Sequence, residues 1–393
     1  MNPDTNSAAQ AGRHLLRSGV RVACAILLIA GCGGSNNHLS VSPPPNQSAA
    51  APVISTTAAQ NGAVIVTLTD STANATLYYT TDGSTPTNTS PQYFAPFLVA
   101  SNLTVNAIAA APPLLNSQVA TQTFSANIPS GTLVWSDEFS NTSSANIGPD
   151  NHTWTYDTGT DCCGNNELET YCAWGSNAAP CSTTSPNAYV GTDGYLHIVA
   201  MSPSPTVYTS ARLKSEGLFT FQYGRIEASM QLPESQGMWP AFWLLGSNIT
   251  AVPWPTSGEA DVMEHIDGAN PPPYVGGTPP GYDWIAGSVH GGPSASAEVN
   301  GSQTYHPTGF SAAAWHTYGM IWTKGQIQYY VDNPSNVYAT FNTSNFGGTW
   351  PFDQGPMFIL LNLAVGGSWP GNPDSTTAFP STMLVDYVRI YSN

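Results

Sequence analysis

Residues 257–265 concentrate three acidic side chains in a chain that is otherwise sparing with charge. Only 8% of the 393 residues are charged, yet Glu259, Asp261 and Glu264 lie within this segment. In a regular β-strand successive side chains alternate faces, so Glu259 and Asp261 would point one way and Glu264 the other. A β-bulge near Met263 would absorb one residue and return Glu264 to the shared face. We therefore predict a bulged strand with three acids on one face.

Three neighbouring carboxylates suit acid–base chemistry better than they suit stability, because like charges repel and each raises its neighbour's pKa. With a rise of about 3.3 Å per residue, the Cα atoms of Glu259 and Glu264 would lie roughly 13 Å apart, and the side chains can close much of that gap. Retaining glycosidases hold their carboxyl groups roughly 5–5.5 Å apart, and inverting ones about 6.5–9.5 Å. The spacing alone does not choose between these mechanisms, and a solvated acidic strand face is the non-catalytic alternative.

The elements around these acids are predicted to be short β-strands. Between residues 133 and 391, segments rich in β-branched and aromatic residues alternate with Gly, Pro, Asn and Ser, and no convincing amphipathic helix is present. Residues 131–393 are therefore predicted to form one large all-β sandwich. A smaller β-sandwich module is predicted for residues 52–127, where Asp82-Gly83 supplies a turn.

The charge of the chain narrows the range of partners. The formal net charge is -16, and only eight residues are Lys or Arg. Three of them, Arg13, Arg17 and Arg21, lie near the N-terminus, and none falls between positions 22 and 211. Without a basic patch, binding to nucleic acid, to an anionic membrane surface or to a sulfated polymer is disfavoured. A neutral polymer is the expected substrate.

Residues 1–31 read as a secretory signal. The basic residues precede an apolar run, residues 22–30, that is too short to span a membrane stably. The ending Ile29-Ala30-Gly31-Cys32 looks like a bacterial lipobox, which implies a lipid on Cys32; an ordinary signal peptide is the alternative. Residues 32–51 would form a flexible Ser/Pro/Asn-rich linker. We expect a monomer that is exported to the bacterial cell surface or the medium.

Four cysteines lie close together near the start of the large domain: Cys162, Cys163, Cys172 and Cys181. Export favours disulfides over a zinc site, and no Cys-x-x-Cys pair is present. Because adjacent cysteines are poorly placed to bond each other, we expect Cys162 and Cys163 to pair with Cys172 and Cys181, in either arrangement. Such crosslinks would stiffen a loop that has no core of its own.

Seven further segments accompany the acidic motif: WSDEF at 135–139, NNELE at 165–169, YTSARLK at 208–214, YGRIEA at 223–228, GMWPAFW at 237–243, NLAVGG at 362–367 and VDYVRIY at 385–391. In this order, and with Glu259-x-Asp261-x-x-Glu264, they resemble glycoside hydrolase family 16. The bulged form of the motif is typical of the laminarinase branch, the endo-β-1,3-glucanases. The resemblance implies a β-jelly-roll sandwich of the concanavalin A-like type, with the substrate cleft on its concave face.

The resemblance also implies a role for each acid. Glu259 would be the nucleophile, and Glu264 the general acid that later activates water as a base. Asp261 would hydrogen-bond to the nucleophile and separate the two protonation states. Two departures from the family are Ala260, where a larger aliphatic residue is usual, and the pair Cys162-Cys163. The second leaves substrate preference at the donor end of the cleft open.

Seven other residues are candidates for substrate binding. Trp239 and Trp243 lie four residues apart on a predicted strand and would offer indole platforms to sugar rings, although tryptophans are also common in cores. The resemblance adds Arg212, Asn165, His290, Trp254 and Asn362, each with a structural role as its alternative.

A structural calcium ion is implied on the convex side of the domain. Family members often hold one with oxygens from the opening Asp-Glu-Phe segment and the closing Val-Asp-Tyr strand, here Glu138 and Asp386. Calcium prefers carboxylate and carbonyl oxygens. No cofactor is expected for catalysis.

The leading hypothesis is retaining endohydrolysis of β-1,3-glucan or mixed β-1,3/1,4-glucan. The alternatives are a hydrolase or transglycosylase of another neutral polysaccharide, and a non-catalytic β-glucan-binding protein; such proteins typically lack the catalytic acids that this chain retains. The small module resembles the C-terminal β-sandwich of some chitobiases through YYTTDGSTP at 78–86. Its Tyr78, Tyr79 and Tyr93 either bind sugars or belong to its core.

Overall fold

The computed structural model describes residues 47–160, 164–266 and 284–393. The predicted signal, Cys32, most of the predicted linker, and the pair Cys162-Cys163 lie outside those ranges. Among the described residues, no helix has the length and apolar character needed to cross a membrane.

The regular secondary structure of the described residues is β-strand, apart from one 3-10 helix at Ala295–Ala297. Strands β1 to β6 are Val53–Ala58, Val64–Thr69, Thr76–Thr80, Phe97–Val99, Leu103–Ala110 and Ala120–Phe124. Strands β7 to β14 are Leu133–Asp137, Thr155–Asp157, Glu169–Tyr171, Ala188–Val190, Leu196–Ser204, Val207–Ser210, Arg212–Lys214 and Gly224–Gln231. Strands β15 to β23 are Met238–Gly246, Glu259–Glu264, Ile285–Gly291, Val299–Tyr305, His316–Thr323, Gln326–Val331, Val337–Asn342, Met357–Val365 and Ser381–Tyr391.

Strands β7 to β23 form a sandwich of two large sheets. One sheet has the order β21-β20-β19-β14-β23-β11-β12-β9, with β7 and β10 paired at its side, and the other has the order β18-β17-β16-β15-β22-β13-β8. A continuous core of side chains from both sheets fills the space between them, including Ile226, Phe242, Met263, Trp322 and Leu361. The predicted all-β jelly-roll fold is confirmed, and the seven-stranded sheet carries the acidic motif on β16.

Strands β1 to β6 form the small module from two three-stranded sheets, β1-β2-β4 and β3-β5-β6. Its core contains Tyr79, which is 4% exposed and stacks on Phe97 with ring centroids 5.0 Å apart. Tyr93 packs edge-on against both rings. Tyr79 is therefore a core residue, and the partly buried Tyr93 packs against that core; a sugar-binding role for Tyr78 and Tyr93 stays a prediction.

The small module is docked firmly against the large domain. The backbone N–H of Leu98 donates to the carbonyl of Thr220 (2.9 Å), and the N–H of Thr220 donates to the carbonyl of Pro96 (2.9 Å). Ala63 of the module is 1% exposed and belongs to the core of the large domain. Because backbone pairing and apolar burial act together at this junction, the module is a fixed neighbour of the large domain.

Cys172 and Cys181 are bonded to each other. The prediction that they pair with Cys162 and Cys163 is wrong, since each sulfur forms one disulfide bond. The chain between them turns back so that their Cα atoms lie 5.6 Å apart, which is an ordinary separation for a disulfide. The sequence alone did not reveal this return.

Candidate active site

Strand β16 contains the predicted bulge. On β15, Trp243 lies opposite Asp261 and the adjacent Phe242 lies opposite Met263, so Val262 is the extra residue. The same shift occurs against β17. Val262 and Met263 are consecutive apolar residues and both are buried in the core, at 1% and 0% exposure, which a regular alternation would not allow. The bulge therefore leaves three acids on the opposite, cleft-facing side: Glu259, Asp261 and Glu264.

Each outer glutamate receives a hydrogen bond from an indole. The Trp254 Nε1–H donates to Oε2 of Glu259 (2.9 Å), and the Trp239 Nε1–H donates to Oε1 of Glu264 (3.0 Å). Burial raises the pKa of Glu259 and of Glu264, and the negative charge of Asp261 raises both further. Carboxyl groups whose pKa is raised in this way can hold and release a proton near neutral pH.

His290 links the central acid to a residue that the sequence did not single out. Its Nε2 lies 3.1 Å from Oδ2 of Asp261, and its Nδ1 lies 2.6 Å from Oε1 of Glu298. Although burial opposes a positive charge, interactions with Asp261 and Glu298 raise the pKa of His290 well above its ordinary value. Burial acts against ionisation of Glu298, but hydrogen bonds from His290 and Asn300 lower its pKa. Asp261, His290 and Glu298 thus form a row of alternating charge beside the two glutamates.

Glu298 escaped sequence reasoning because its contact with His290 is made by a hairpin. Strands β17 and β18 pair with His290 opposite Asn300, and Glu298 immediately precedes β18. No motif marks Glu298. A prediction that residues 285–305 form a hairpin would have been the available signal.

The floor of the cleft is a polar network that joins residues of five strands. The Trp243 Nε1–H donates to Oδ1 of Asn362 (2.7 Å), and the Asn362 amide donates to the hydroxyl of Tyr171 (3.2 Å). The guanidinium of Arg212 lies over the Trp243 ring at 4.5 Å and forms an ion pair with Asp157 (3.0 Å). Arg212 therefore covers one face of the Trp243 ring. Tyr171 and Asp157 are further residues that the sequence did not indicate.

Asn165 lies on a braced loop at the edge of the cleft. Its backbone N–H donates to Oε2 of Glu167 (2.9 Å), and its carbonyl accepts from the N–H of Ser368 (2.7 Å). Trp369, on the same neighbouring loop, packs edge-on against Trp239 with ring centroids 5.2 Å apart. The loops 165–167 and 366–369 thus fix the position of Asn165 and of one predicted sugar platform.

The predicted residues converge on one cleft. A cavity of about 80 Å³ is lined by the three acids and by five of the seven predicted binding residues, namely Asn165, Arg212, Trp239, Trp243 and Asn362. The other two contact the acids directly: Trp254 donates a hydrogen bond to Glu259, and His290 forms an ion pair with Asp261. Their roles in binding stay predictions, but the structure brings all seven to the acidic strand.

A model of the glycosyl hydrolases of family 16 matches residues 175–389, more than half of the chain. The chain belongs to glycoside hydrolase family 16. Residues 66–124 match a different family, described as Fn3 associated. The chitobiase resemblance of the small module stays a prediction.

Similar proteins agree with this membership. A β-glucanase of Rhodothermus marinus is 35% identical over 277 residues, which cover 67% of this chain and 86% of the relative. Glucan endo-1,3-β-glucosidase A1 of Niallia circulans is 32% identical, over 66% of this chain but only 37% of its own length. The laminarinase catalytic domain of Thermotoga maritima is 34% identical with a TM-score of 0.54, over 67% of this chain and 99% of that one. This family 16 protein is accordingly a glycoside hydrolase.

The side-chain carboxylate of Glu138 does not fit the predicted calcium site of this family 16 hydrolase, whereas calcium binding through Asp386 and backbone oxygens stays a prediction. Both carboxylate oxygens of Glu138 accept hydrogen bonds from Arg389, at 2.9 and 2.7 Å. A guanidinium in that position competes with a cation for the same oxygens. Within the described ranges, the one group of acid and histidine side chains close enough to hold a metal is Glu259, Asp261 and His290, which belongs to the active site. Asp386, on β23, is not part of such a group.

Proposed function

We propose that this protein is a retaining endo-β-glucanase that hydrolyses β-1,3-glucan or mixed β-1,3/1,4-glucan. The observation that carries the proposal is the pair Glu259 and Glu264 on one face of a bulged strand, with Asp261 between them. The names of the relatives, a β-glucanase, a glucan endo-1,3-β-glucosidase and a laminarinase, support this substrate class.

In the first step, the carboxylate of Glu259 attacks the anomeric carbon and forms a glycosyl ester. The glycosidic C–O bond breaks as Glu264 gives its proton to the departing oxygen. In the second step, the ionised Glu264 takes a proton from water, the water oxygen bonds to the anomeric carbon, and Glu259 leaves as a carboxylate. Two inversions at one carbon give net retention.

The surrounding residues assist these steps by orienting the two glutamates and by controlling their protonation states. Trp254 donates to Oε2 of Glu259, which leaves Oε1 to attack. Negative charge on Asp261 favours the proton on Glu264 in the resting enzyme and stabilises positive charge that develops on the sugar ring. Protonated His290 balances Asp261 and limits how far the pKa of Glu259 rises.

A neutral polymer is the substrate that the charge favours. The chain has a formal net charge of -16, and the guanidinium that lines the cleft, that of Arg212, is paired with Asp157. A sulfated or carboxylated chain would be repelled by the net negative charge of the protein and by the carboxylate of Glu259 in the cleft. Sugar hydroxyls, by contrast, can bond to Arg212 and to the amides of Asn165 and Asn362.

The proposal includes export, with the signal at residues 1–31 and a lipid on Cys32, and action as a monomer. The Arg-rich start, the apolar run and the Ile-Ala-Gly-Cys ending support the export and the lipid. Replacing Cys32 by Ser is expected to move the protein from the membrane fraction to the soluble one. Unchanged fractionation would remove the lipid from the proposal.

The decisive experiment measures reducing ends released from laminarin, lichenan and agarose by the purified protein and by Glu259→Gln. We expect release from laminarin that is lost in the variant. NMR of the first product should show the β-anomer. An initial α-anomer would overturn the double displacement, and a folded protein that cleaves none of the three polymers would overturn the glucanase assignment.

A further inference from the structure

A cavity of about 410 Å³, larger than the one beside the acids, lies where the small module meets the large domain. The module contributes Phe94 and Ala95 to its wall. The large domain contributes Thr155, Tyr156, Lys214, Glu216, Gly217, Ser247, Thr250 and Phe358. The space is therefore a pocket, partly open to solvent, in which the small module adds one wall to a surface of the large domain.

The cavity adjoins the active-site cleft on the same face of the seven-stranded sheet. Lys214 follows Arg212 by two residues on β13, so both side chains point to the same face. Both are paired with one carboxylate, Asp157, at 2.7 Å from Lys214 and 3.0 Å from Arg212. Arg212 lines the cleft and Lys214 lines the larger cavity, so a single row of charges separates the two spaces.

An apolar cluster also connects the cavity with the nucleophile. Phe358 lines the cavity and packs in a group with Leu245, Leu360 and Trp254. Trp254 is the residue that donates to Glu259. One apolar cluster therefore contains both a residue of the cavity wall, Phe358, and the residue that donates to the nucleophile, Trp254.

The lining of the cavity suits a neutral, hydroxyl-rich ligand. The Lys214 ammonium is already neutralised by Asp157 (2.7 Å) and by Glu216 (2.5 Å), so the site offers little net charge to an ion. Hydroxyl groups come from Thr155, Ser247 and Thr250. Phe94 adds an aromatic ring, which together with polar groups is the usual equipment for a sugar ring.

We propose that this interdomain cavity binds a sugar unit of the same glucan chain whose bond is cleaved in the cleft, at a distance from that bond. The small module thereby extends the substrate site of the enzyme. Its backbone pairing through Leu98 and Thr220 holds Phe94 and Ala95 in place as the outer wall. This inference rests on the proposed glucanase function.

The test compares substrates of different length in the full chain. Thr250→Leu fills the cavity from an exposed position without adding a hydrogen-bonding group. Thr340→Leu, at an exposed threonine of β21 outside the cavity, is the matched control. The ratio of kcat/KM on laminarin to kcat/KM on the shortest cleaved oligosaccharide should fall about tenfold in Thr250→Leu, equivalent to roughly 1.4 kcal/mol. The control should keep the ratio of the unaltered protein.

Phe94→Ala tests the same proposal independently, because it removes part of the cavity wall, whereas Thr250→Leu fills the cavity. In the inactive Glu259→Gln background, Thr250→Leu and Phe94→Ala should each raise the Kd for a long β-1,3-glucan oligosaccharide by about tenfold. If both folded variants match Thr340→Leu on long chains, the cavity proposal is overturned while the glucanase assignment stands. If the unaltered protein cleaves no glucan, the proposed function itself has failed.

Discussion

Two of the places where the large domain shields carboxylates from solvent are built on opposite principles. Glu227 on β14 is 7% exposed and points away from the core that contains Ile226. It accepts hydrogen bonds from Arg225, Tyr330 and Tyr391, the last at 2.9 Å. Glu259 and Glu264 each receive an indole N–H and face a third carboxylate in place of a guanidinium.

The difference separates a structural acid from a reactive one. At Glu227 a guanidinium and two hydroxyls donate to the carboxylate, so its hydrogen-bonding capacity is used within the folded structure. At the cleft, burial and Asp261 raise the pKa of both glutamates, so their protonation can change during a reaction. The number and charge of the donors around a buried carboxylate indicate its role better than its burial does.

The largest expected difference in kcat is between variants that remove a carboxylate from the cleft and a variant that removes the carboxylate of Glu227. Glu259→Gln and Glu264→Gln should lower kcat about 10³-fold or more, because each removes a group that acts on the reacting bond. Glu227→Gln should keep kcat within about threefold but lower the free energy of unfolding by about 1–3 kcal/mol, because Arg225 loses its partner. Steady-state kinetics and denaturant unfolding measure both. A folded Glu227→Gln with kcat as low as that of Glu259→Gln would break the comparison.

An intermediate effect is expected from the indole donors. The Trp254 N–H lowers the pKa of Glu259, so Trp254→Phe should raise that pKa and move the acid limb of the kcat/KM profile to higher pH. Trp239→Phe should likewise raise the pKa of Glu264, and since that group must be protonated, the alkaline limb should move to higher pH. Each shift should be about 0.5–1 pH unit, as expected for a hydrogen bond of about 1 kcal/mol.

Trp315→Phe is the control for those two variants, since Trp315 is exposed and packs on Tyr195 away from the acids. Its profile should match that of the unaltered protein. If Trp254→Phe and Trp239→Phe move the same limb, the assignment of nucleophile and acid to separate glutamates is contradicted.

The smallest effect is expected at Glu298, which acts through His290. Glu298→Gln removes a charge that raises the pKa of His290, so His290 should lose its proton at lower pH. Protonated His290 lowers the pKa of Glu259; its loss should move the acid limb upward by about 0.3–0.5 pH unit. NMR titration of His290 should report the fall in its pKa directly. Glu234→Gln, at an exposed glutamate near Ser311, is the control, and an unmoved His290 titration would exclude the positioning role.

Local pattern was enough to predict the elements that follow short-range rules. The spacing of Glu259, Asp261 and Glu264 predicted a bulged strand because side-chain alternation has a fixed period, and the structure confirms it. The all-β sandwich followed from short strands with turn residues between them, and the resemblance to family 16 specified it as a jelly roll. The predicted disulfide pairing was wrong because the bond depends on how residues 173–180 fold back to bring Cys181 beside Cys172, and cysteine spacing does not encode that path.

The amino-acid sequence by itself determined the family, the β-sandwich and the acids that carry the chemistry, since these depend on residue type and local period. Tertiary structure alone decided which donors meet those acids, that Glu298 faces His290, that Arg389 takes both oxygens of Glu138, and that the small module adds a wall to a pocket beside the cleft. The physical reason is that burial, pKa and cavity shape arise from contacts between residues far apart in the chain, which no local pattern specifies.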